Sequence, residues 1–325
     1  MGFTDCIKPY ALTIGLVIAV GTACLFPATG KGQTVLEWIC TAAIGLLFFF
    51  HGAKLSQKSV IEGASNWKLH LMVFISTYVL FPVLGYLLKF ILEDMITPEL
   101  YLGILFICAM PSTVQSSITL TSLARGNVPA AICSASFSNI IGMILSPVII
   151  FLLIDSSGEL QVNFDAFVNI LTQLFLPFLL GQMSRYCIGN WVDEHKSIII
   201  YLDQGWILLI VYTTFSAAVT SDFWDVISPK HLVGLIAITC FILFVVLVYN
   251  VYMSRQYNFM KVDEIAIVFC GSKKSLAAGI PMAKVLLSGN SVAIAALTLM
   301  LYHQEQLWVC SVMAQRYAKR EEDKI

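Results

Sequence analysis

Lys273 and Lys274 are adjacent lysines within an apolar stretch that runs from about residue 263 to residue 286. If a membrane-spanning helix begins near Asp263, both lysines lie about 15 Å along it, in the middle of a hydrocarbon core about 30 Å thick. A lysine at that depth costs roughly 2.5 to 3.5 kcal/mol, so it normally faces a polar cavity or an opposite charge. The pair therefore predicts a solute path. The alternative is that the helix starts later and both amines reach the interface along their apolar stems.

The helix that carries the two lysines is expected to break close to them. Gly271, Gly279 and Pro281 interrupt the apolar stretch, and Ser272 and Ser275 flank the lysine pair. Glycine and proline both weaken a continuous helix. Ser272, Ser275 and the two lysines are therefore candidate binding residues.

A second interruption follows Pro111, inside the apolar run from residue 100 to residue 124. Proline removes a backbone donor and clashes with the preceding turn, so this helix should also break. Non-helical backbone at bilayer depth is tolerated only where it is buried in protein or lines a wet cavity, and two such breaks in corresponding places indicate a substrate site. The candidate binding residues here are Thr113, Gln115, Ser116 and Ser117.

The next apolar run, 128–154, also contains polar residues. They are Ser134, Ser136, Ser138 and Asn139. Small hydroxyl residues in a membrane helix often serve close helix packing. Their concentration beside the cluster after Pro111 favours a binding role instead. Both interpretations are open for each residue.

Glu305 is the candidate counter-ion for the lysines. It lies about 16 Å from a helix end near Arg316, at nearly the depth of the lysine pair. Pairing would reduce the desolvation penalty of both charges, although Glu305 could equally pack at a helix interface. The neighbouring His303 is a further candidate. By contrast, the charged residues near the ends of apolar runs are expected to be solvated: His51, Lys54, Glu37, Asp203 and Glu264.

The composition indicates a polytopic membrane protein. The chain has 325 residues, of which 58% are hydrophobic and 12% charged, and its mean hydropathy is +0.83. A net charge of −1 gives no support for a nucleic-acid partner. The nine cysteines form no CxxC pair, so neither a zinc site nor a disulfide framework is predicted. Motifs for nucleotide hydrolysis and other enzyme chemistry are missing, so any transport must be driven by a gradient.

Ten apolar runs are long enough to cross a bilayer. Of the 19 lysines and arginines, 13 fall on one side of this arrangement; only Lys31, Lys89 and Lys230 fall on the other, and three lie within the ninth run. The positive-inside rule therefore predicts that both termini are cytoplasmic. The runs are approximately 9–27, 35–54, 69–91, 100–124, 128–154, 164–184, 198–220, 231–253, 263–286 and 291–315.

Ten spans divide into two halves of five, and an odd-numbered repeat enters the membrane in the opposite orientation the second time. The fourth and ninth runs are then equivalent, and both contain a predicted break. Similar turns follow them, Arg-Gly-Asn-Val at 125–128 and Ser-Gly-Asn-Ser at 288–291. The predicted fold is all-α, with ten transmembrane helices in two inverted five-helix repeats and with helices 4 and 9 broken and crossing.

Five motifs stand out in the chain: Val-Phe-Cys-Gly-Ser-Lys-Lys-Ser-Leu-Ala-Ala-Gly-Ile-Pro-Met-Ala-Lys (268–284), Pro-Ser-Thr-Val-Gln-Ser-Ser (111–117), Ala-Arg-Gly-Asn-Val (124–128), Ser-Phe-Ser-Asn (136–139) and Tyr-His-Gln (302–304). They resemble the SBF-like branch of the bile acid:sodium symporter superfamily, which includes bacterial proteins assigned as symporters and the divergent seventh member of solute-carrier family 10. The resemblance covers essentially the whole chain. It implies a panel domain at about 9–54 and 164–220 and a core domain at about 69–154 and 231–315, with alternating access by motion of core against panel.

The resemblance also implies a sodium site, but this chain departs from it. Characterised bile acid transporters of the family bind two sodium ions, using a glutamate at the start of the break in span 9, and here no carboxylate lies within 268–272. Thr77 stands where the family has a glutamine. A fixed ammonium would repel sodium by roughly 4 kcal/mol at 4 Å and an effective dielectric constant of about 20, and it could replace sodium in neutralising an anion. The sodium ligands carried over from the family are Ser116, Ser117, Ser134 and Ser138.

Two hypotheses follow. The first is a secondary transporter of an amphipathic organic anion, coupled to Na⁺ or to H⁺ carried by Lys273, in a bacterial inner membrane. No cofactor is expected, Na⁺ is one of the two candidate coupling ions, and the partners are the small organic anion and the lipid bilayer. The second is a membrane receptor or regulator of ion homeostasis that moves no solute. A sensor commonly has an appended soluble domain, which is not expected here, and oligomeric state is left open.

Overall fold

The computed structural model describes residues 11–54, 66–92, 96–155, 168, 171–221 and 227–320, and these residues form helices and connecting loops with no strand among them. Parts of the predicted runs 9–27 and 164–184 lie outside the described residues. The helices are α1 Ala11–Leu25, α2 Gly30–Lys54, α3 Trp67–Ile75, α4 Phe81–Leu92, α5 Pro98–Ala109, α6 Gln115–Leu123, α7 Val128–Asp155, α8 Leu176–Glu194, α9 Lys196–Val219, α10 Pro229–Gln256, α11 Lys261–Gly271, α12 Leu276–Leu286 and α13 Asn290–Ala318, with π-helical turns at Ser76–Leu80 and Leu171–Phe175.

Within the described part of the chain, six helical stretches are long and apolar enough to cross a membrane. They identify an integral membrane protein. The stretch that carries the lysines, Lys261–Leu286, differs from the other five because 94% of its apolar window is buried inside the protein, compared with 33% to 50% for the others. It is surrounded by protein, which is the environment that a charged membrane residue requires.

Both predicted breaks are confirmed. Between α5 and α6, Met110 is extended, with φ −70° and ψ 151°, as expected for a residue before proline. Between α11 and α12 the chain leaves the helix at Ser272 and resumes it at Leu276. The prediction that Gly279 and Pro281 interrupt the helix was wrong, because both lie within α12. Gly279 is instead a packing residue, since a Cβ there would lie 2.4 Å from a methyl carbon of Leu299.

The described residues divide into two compact units. The first comprises those within Met1–Leu55, Asn163–Leu232 and Ile280–Ala296, and the second those within Ser56–Val162, Val233–Gly279 and Leu297–Ile325. The predicted division into panel and core concerns motion and stays a prediction. So does the ten-span inverted repeat.

In the first unit, α2 and α8 approach closely at two glycines. A Cβ on Gly181 would lie 1.9 Å from the carbonyl oxygen of Phe49, and a Cβ on Gly52 would lie 2.1 Å from that of Phe178. Both obstacles are backbone atoms, which cannot rotate away as a side chain can. Because ordinary contact distances are about 3.5 Å, only glycine fits at either position.

We therefore expect Gly181→Ala to destabilise the protein by about 1 to 3 kcal/mol or more, through separation of α2 from α8. The measurement is thermal unfolding of the purified protein in detergent. Gly205→Ala is the matched control, since a Cβ at this position of α9 meets nothing within 4 Å. Equal unfolding temperatures for the two variants would contradict this account of the contact.

In the first unit, the expectation that charged residues near helix ends are solvated was wrong for Asp203. The residue is 8% exposed, and its carboxylate forms an ion pair with Lys54 and lies 3.8 Å from His51 Nε2. Partners on α2 thus hold a carboxylate of α9 away from water.

In the second unit, Glu264 is only 3% exposed, so it too departs from that expectation. Its carboxylate accepts hydrogen bonds from Lys261 Nζ at 2.6 Å, Tyr317 Oη at 2.9 Å and Arg255 Nε at 3.4 Å. The neighbouring Asp263 accepts from the side-chain amides of Asn127 and Asn66, at 2.7 and 3.1 Å. These contacts fix the start of α11, and hence the depth at which the lysines lie.

Candidate functional site

The two breaks are in direct contact within the second unit. We call residues 110–117 and 269–276 the crossing region. The amide of Ser275 donates to the carbonyl of Pro111 at 2.8 Å, and the hydroxyl of Ser112 donates to the carbonyl of Cys270 at 2.6 Å. The sequence-based expectation that these two segments meet is therefore confirmed.

Hydroxyl groups satisfy the open end of α11. The last four carbonyls of an α-helix have no intrahelical amide to accept from. Three of them accept from serine side chains instead: Phe269 from Ser117 at 3.3 Å, Cys270 from Ser112, and Gly271 from Ser76 at 2.9 Å. These serines let a helix end inside the protein without leaving unpaired carbonyls.

Lys274 has a structural role at this crossing. Its side chain is fully buried, and Nζ donates to the carbonyls of Met110, Thr77 and Cys108 at 2.8, 3.0 and 3.1 Å. The ammonium also lies 3.8 Å from the centroid of the Phe81 ring, a cation–π contact. Three acceptors match the three donors of an ammonium, so the group is completely satisfied.

The sequence explains why these carbonyls have no backbone amide to accept from. In the π-helical turn the amide of Phe81 donates to Ser76, and the next residue in that register, Pro82, has no amide to give to Thr77. After α5, the amide of Ser112 donates to the hydroxyl of Ser138 at 3.0 Å and not to the carbonyl of Cys108. Lys274 supplies the donors that prolines and the break remove.

Gln306 of α13 fixes the backbone on which Lys274 stands. Its side-chain oxygen accepts from the amide of Lys274 at 2.8 Å, and its side-chain nitrogen donates to the carbonyl of the same residue at 3.1 Å. One turn earlier, Tyr302 donates to the carbonyl of Ser272 at 2.8 Å. The sequence analysis missed Gln306 as a site residue, although its i, i+4 spacing from Tyr302 places both on one helix face.

Lys273 differs sharply from its neighbour. Its side chain is 0% exposed, and Nζ has no hydrogen-bond partner among the residues that the structure describes. The titratable groups close enough to act on it are the thiols of Cys310 and Cys270 and the ring of His303. The crossing region thus contains one satisfied and one unpaired buried amine.

The prediction that Glu305 is the counter-ion was wrong. Oε1 of Glu305 accepts from Thr239 Oγ1 of α10 at 2.8 Å, and Glu305 forms no ion pair within 4.0 Å with any described lysine. An estimate of depth along α13 does not fix direction, because successive residues on a helix point about 100° apart. The next residue, Gln306, therefore faces the break while Glu305 faces α10. A binding role for Glu305 stays a prediction.

The polar residues of α7 and of the π-helical turn surround the break from the side of Pro111. Asn139 donates to the carbonyl of Ser112 at 2.6 Å, and Tyr78 donates to the carbonyl of Ser138 at 2.5 Å. Ser134 forms a hydrogen bond of 2.6 Å with His70, and Ser136 is buried. Thr77 is fully buried, and its hydroxyl has no hydrogen-bond partner among the described residues.

The remaining candidates lie at the starts of α6 and α12 and on α13. Thr113 Oγ1 lies 2.5 Å from Ser116 Oγ and 3.3 Å from Ser117 Oγ, while Gln115 is exposed. Ser275 accepts from the amide of Ala278 at 3.2 Å, as a helix N-cap does. Ser272 donates to the carbonyl of Val268 at 2.6 Å, and His303 Nδ1 lies 2.9 Å from Gln306 Nε2.

The four hydroxyls predicted to bind sodium have four different sets of partners. Ser116 contacts Thr113, Ser117 contacts the carbonyl of Phe269, Ser134 contacts His70, and Ser138 accepts from the amide of Ser112. The sodium site stays a prediction.

The chain was compared with known proteins. The sequence profile described as the SBF-like CPA transporter family matches residues 11–319. Protein PA2026 of Pseudomonas aeruginosa is 52% identical over 97% of this chain and 95% of its own length. The protein named "Putative symporter YfeH" of Escherichia coli is 46% identical over 97% and 94%, and "Sodium/bile acid cotransporter 7" of Rattus norvegicus is 30% identical over 92% and 90%.

Proposed function

The chain belongs to the SBF-like CPA transporter family, a family of transporters and not of enzymes, and from this premise we propose that it is a secondary transporter of a small organic anion. The observation that carries the proposal is the unpaired amine of Lys273, buried where two helices are interrupted. Substrate carboxylate, sulfate or phosphate groups would provide the missing partner. The amine of Lys274 already has three acceptors and takes no part in binding the anion.

Protonation of a buried amine without a partner is unfavourable, and an approaching anion relieves that penalty. The helix N-termini of α6 and α12 begin at the crossing region, and their partial positive charge adds to the attraction. Broken helices are used in this way by secondary transporters to bind anionic groups near the bilayer midplane. The site therefore favours an anion over a cation.

We expect coupling to H⁺ and not to Na⁺. A protonated Lys273 would repel a sodium ion bound near it. An amine that is charged when an anion is bound and neutral when it leaves would carry one proton with each anion. The names of the relatives point to symport, and the rat relative's name specifies sodium.

In the proposed cycle, ten transmembrane helices form two inverted repeats, and a core domain at about 69–154 and 231–315 moves against a panel domain at about 9–54 and 164–220. Lys273 would be accessible first from one side of the membrane and then from the other. Both termini would face the cytoplasm of a bacterial cell. An anion entering from one side would leave on the other without a continuous pore.

The test is uptake into proteoliposomes under an imposed pH gradient or an imposed sodium gradient. Taurocholate, dehydroepiandrosterone sulfate and succinate serve as radiolabelled probes. We expect uptake of at least one probe to rise several-fold with an inward H⁺ gradient and to be unchanged by sodium. Uptake driven by sodium alone would overturn the H⁺ assignment, and no uptake of any anion under either gradient would overturn the proposed substrate class.

A further inference from the structure

A cavity lies entirely within the first unit, and none of its lining residues belongs to the crossing region. Its volume is about 290 Å³. Walls come from α2, α9, the end of α12 and the loop that follows α12. The lining residues that matter here are Glu37, Thr214, Ser221, Lys284, Ser288 and Gly289.

Opposite charges line this cavity without neutralising each other. Glu37 is on α2 and Lys284 is near the end of α12, and both are partly buried. Glu37 accepts a hydrogen bond of 3.3 Å from Gln33, and no described residue forms an ion pair within 4.0 Å with either charge. Each is therefore available to a ligand group of opposite charge.

Thr214 contributes to the wall of the cavity, and the residue is 3% exposed. Its hydroxyl has essentially no accessible surface and no hydrogen-bond partner among the described residues. The hydroxyl therefore does not face the open space of the cavity, and the two opposite charges are the groups that a ligand would meet.

The rim of the cavity is held in place before any ligand binds. Asn290 donates to the carbonyl of Ser221 at 3.0 Å, and the hydroxyl of Ser221 donates to the side-chain oxygen of Asn290 at 2.6 Å. Gly289, beside it, has a φ of 57°, which glycine adopts without strain. Two reciprocal hydrogen bonds and a glycine turn thus fix the loop, and a preformed site is typical of small-molecule binding.

We propose that this cavity binds a small zwitterion, whose acidic group pairs with Lys284 and whose ammonium group pairs with Glu37. A volume of about 290 Å³ is near the lower end of the range of small-molecule sites and suits a compound of amino-acid size. The net charge of Glu37 and Lys284 together is zero, so a singly charged ligand would leave one of the two charges without a partner. This inference does not depend on the anion proposed at Lys273.

The test is isothermal titration of the full-length protein in detergent with β-alanine, γ-aminobutyrate and taurine, against propionate and propylamine as singly charged probes. We expect at least one zwitterion to bind ten-fold or more tightly than either singly charged probe. Glu37→Gln and Lys284→Met should each weaken that binding ten-fold or more. Exposed Lys230, at the start of α10, provides the matched control Lys230→Met, which should bind as the wild type does.

The double variant Glu37→Lys, Lys284→Glu keeps both charges and exchanges their positions. Recovery of zwitterion binding in it would support charge pairing even if a single variant folds poorly. Propionate binding as tightly as the zwitterions, or unchanged affinity in both single variants, would overturn the inference. Loss of anion uptake in Lys273→Met with zwitterion binding retained would support two separate sites, and absence of zwitterion binding in a protein that still takes up anions would overturn this inference alone.

Discussion

Lys273→Met is expected to reduce anion uptake by at least a hundred-fold and, at the same time, to raise the thermal stability of the protein. The amine has no hydrogen-bond partner among the described residues and is fully buried, so it lowers the stability of the free protein. An unsatisfied buried polar group costs about 1 to 3 kcal/mol, so replacing the amine by an apolar side chain of similar length is expected to stabilise the protein by that amount. A substitution that raises stability and abolishes function is typical of a residue whose role is functional and not structural.

The measurements are proteoliposome uptake under the gradient that drives the wild type, and thermal unfolding in detergent. Lys230→Met, which removes an exposed lysine, should change neither. A Lys273→Met protein that transports normally would exclude the amine from the mechanism. A lower unfolding temperature would instead indicate that Lys273 has a partner that stabilises the fold.

Lys274→Met is expected to do the opposite, and to destabilise the protein by about 3 to 5 kcal/mol. The change leaves three buried carbonyls, those of Thr77, Cys108 and Met110, without a donor. Each unsatisfied buried acceptor costs about 1 to 3 kcal/mol, partly relieved by relaxation of the break. Uptake should fall because less protein is folded, and not because binding is altered.

The comparison between the two adjacent lysines is itself the control. Both variants remove one ammonium from the same turn, so a general effect of charge would appear equally in both. Thermal unfolding and the yield of monodisperse protein should separate them, with Lys274→Met far below the wild type. Similar unfolding temperatures for the two variants would contradict the division of roles between the lysines.

Sequence reasoning predicted those parts of the site that depend on local chemistry. Pro111 and the glycine-serine stretch around Ser272 located both breaks to within a few residues, because the loss of a backbone donor acts at one place in the chain. The apolar runs gave the helices, although α8 extends to Glu194, ten residues beyond the predicted end. Its last residues are polar, so hydropathy excludes them while the helical hydrogen bonds continue.

The parts that could not be predicted depend on rotation and on tertiary contacts. Hydropathy gave the depth of Glu305 and not the direction in which it points, so the wrong one of two neighbouring residues was chosen. The two lysines look equivalent in the sequence. They differ because three carbonyls from two other segments lie beside Lys274 and not beside Lys273. These carbonyls lack backbone donors because of the prolines and the helix break about 160 to 200 residues earlier in the chain.

The order of synthesis gives this arrangement a further meaning. Thr77, Cys108 and Met110 leave the ribosome more than 160 residues before the lysine that will pair with their carbonyls. The amino-terminal half must therefore wait in the bilayer or in the insertion machinery with these groups unpaired. These carbonyls acquire their donors only when Lys274 arrives, so the amino-terminal half is completed by a side chain that it does not itself contain.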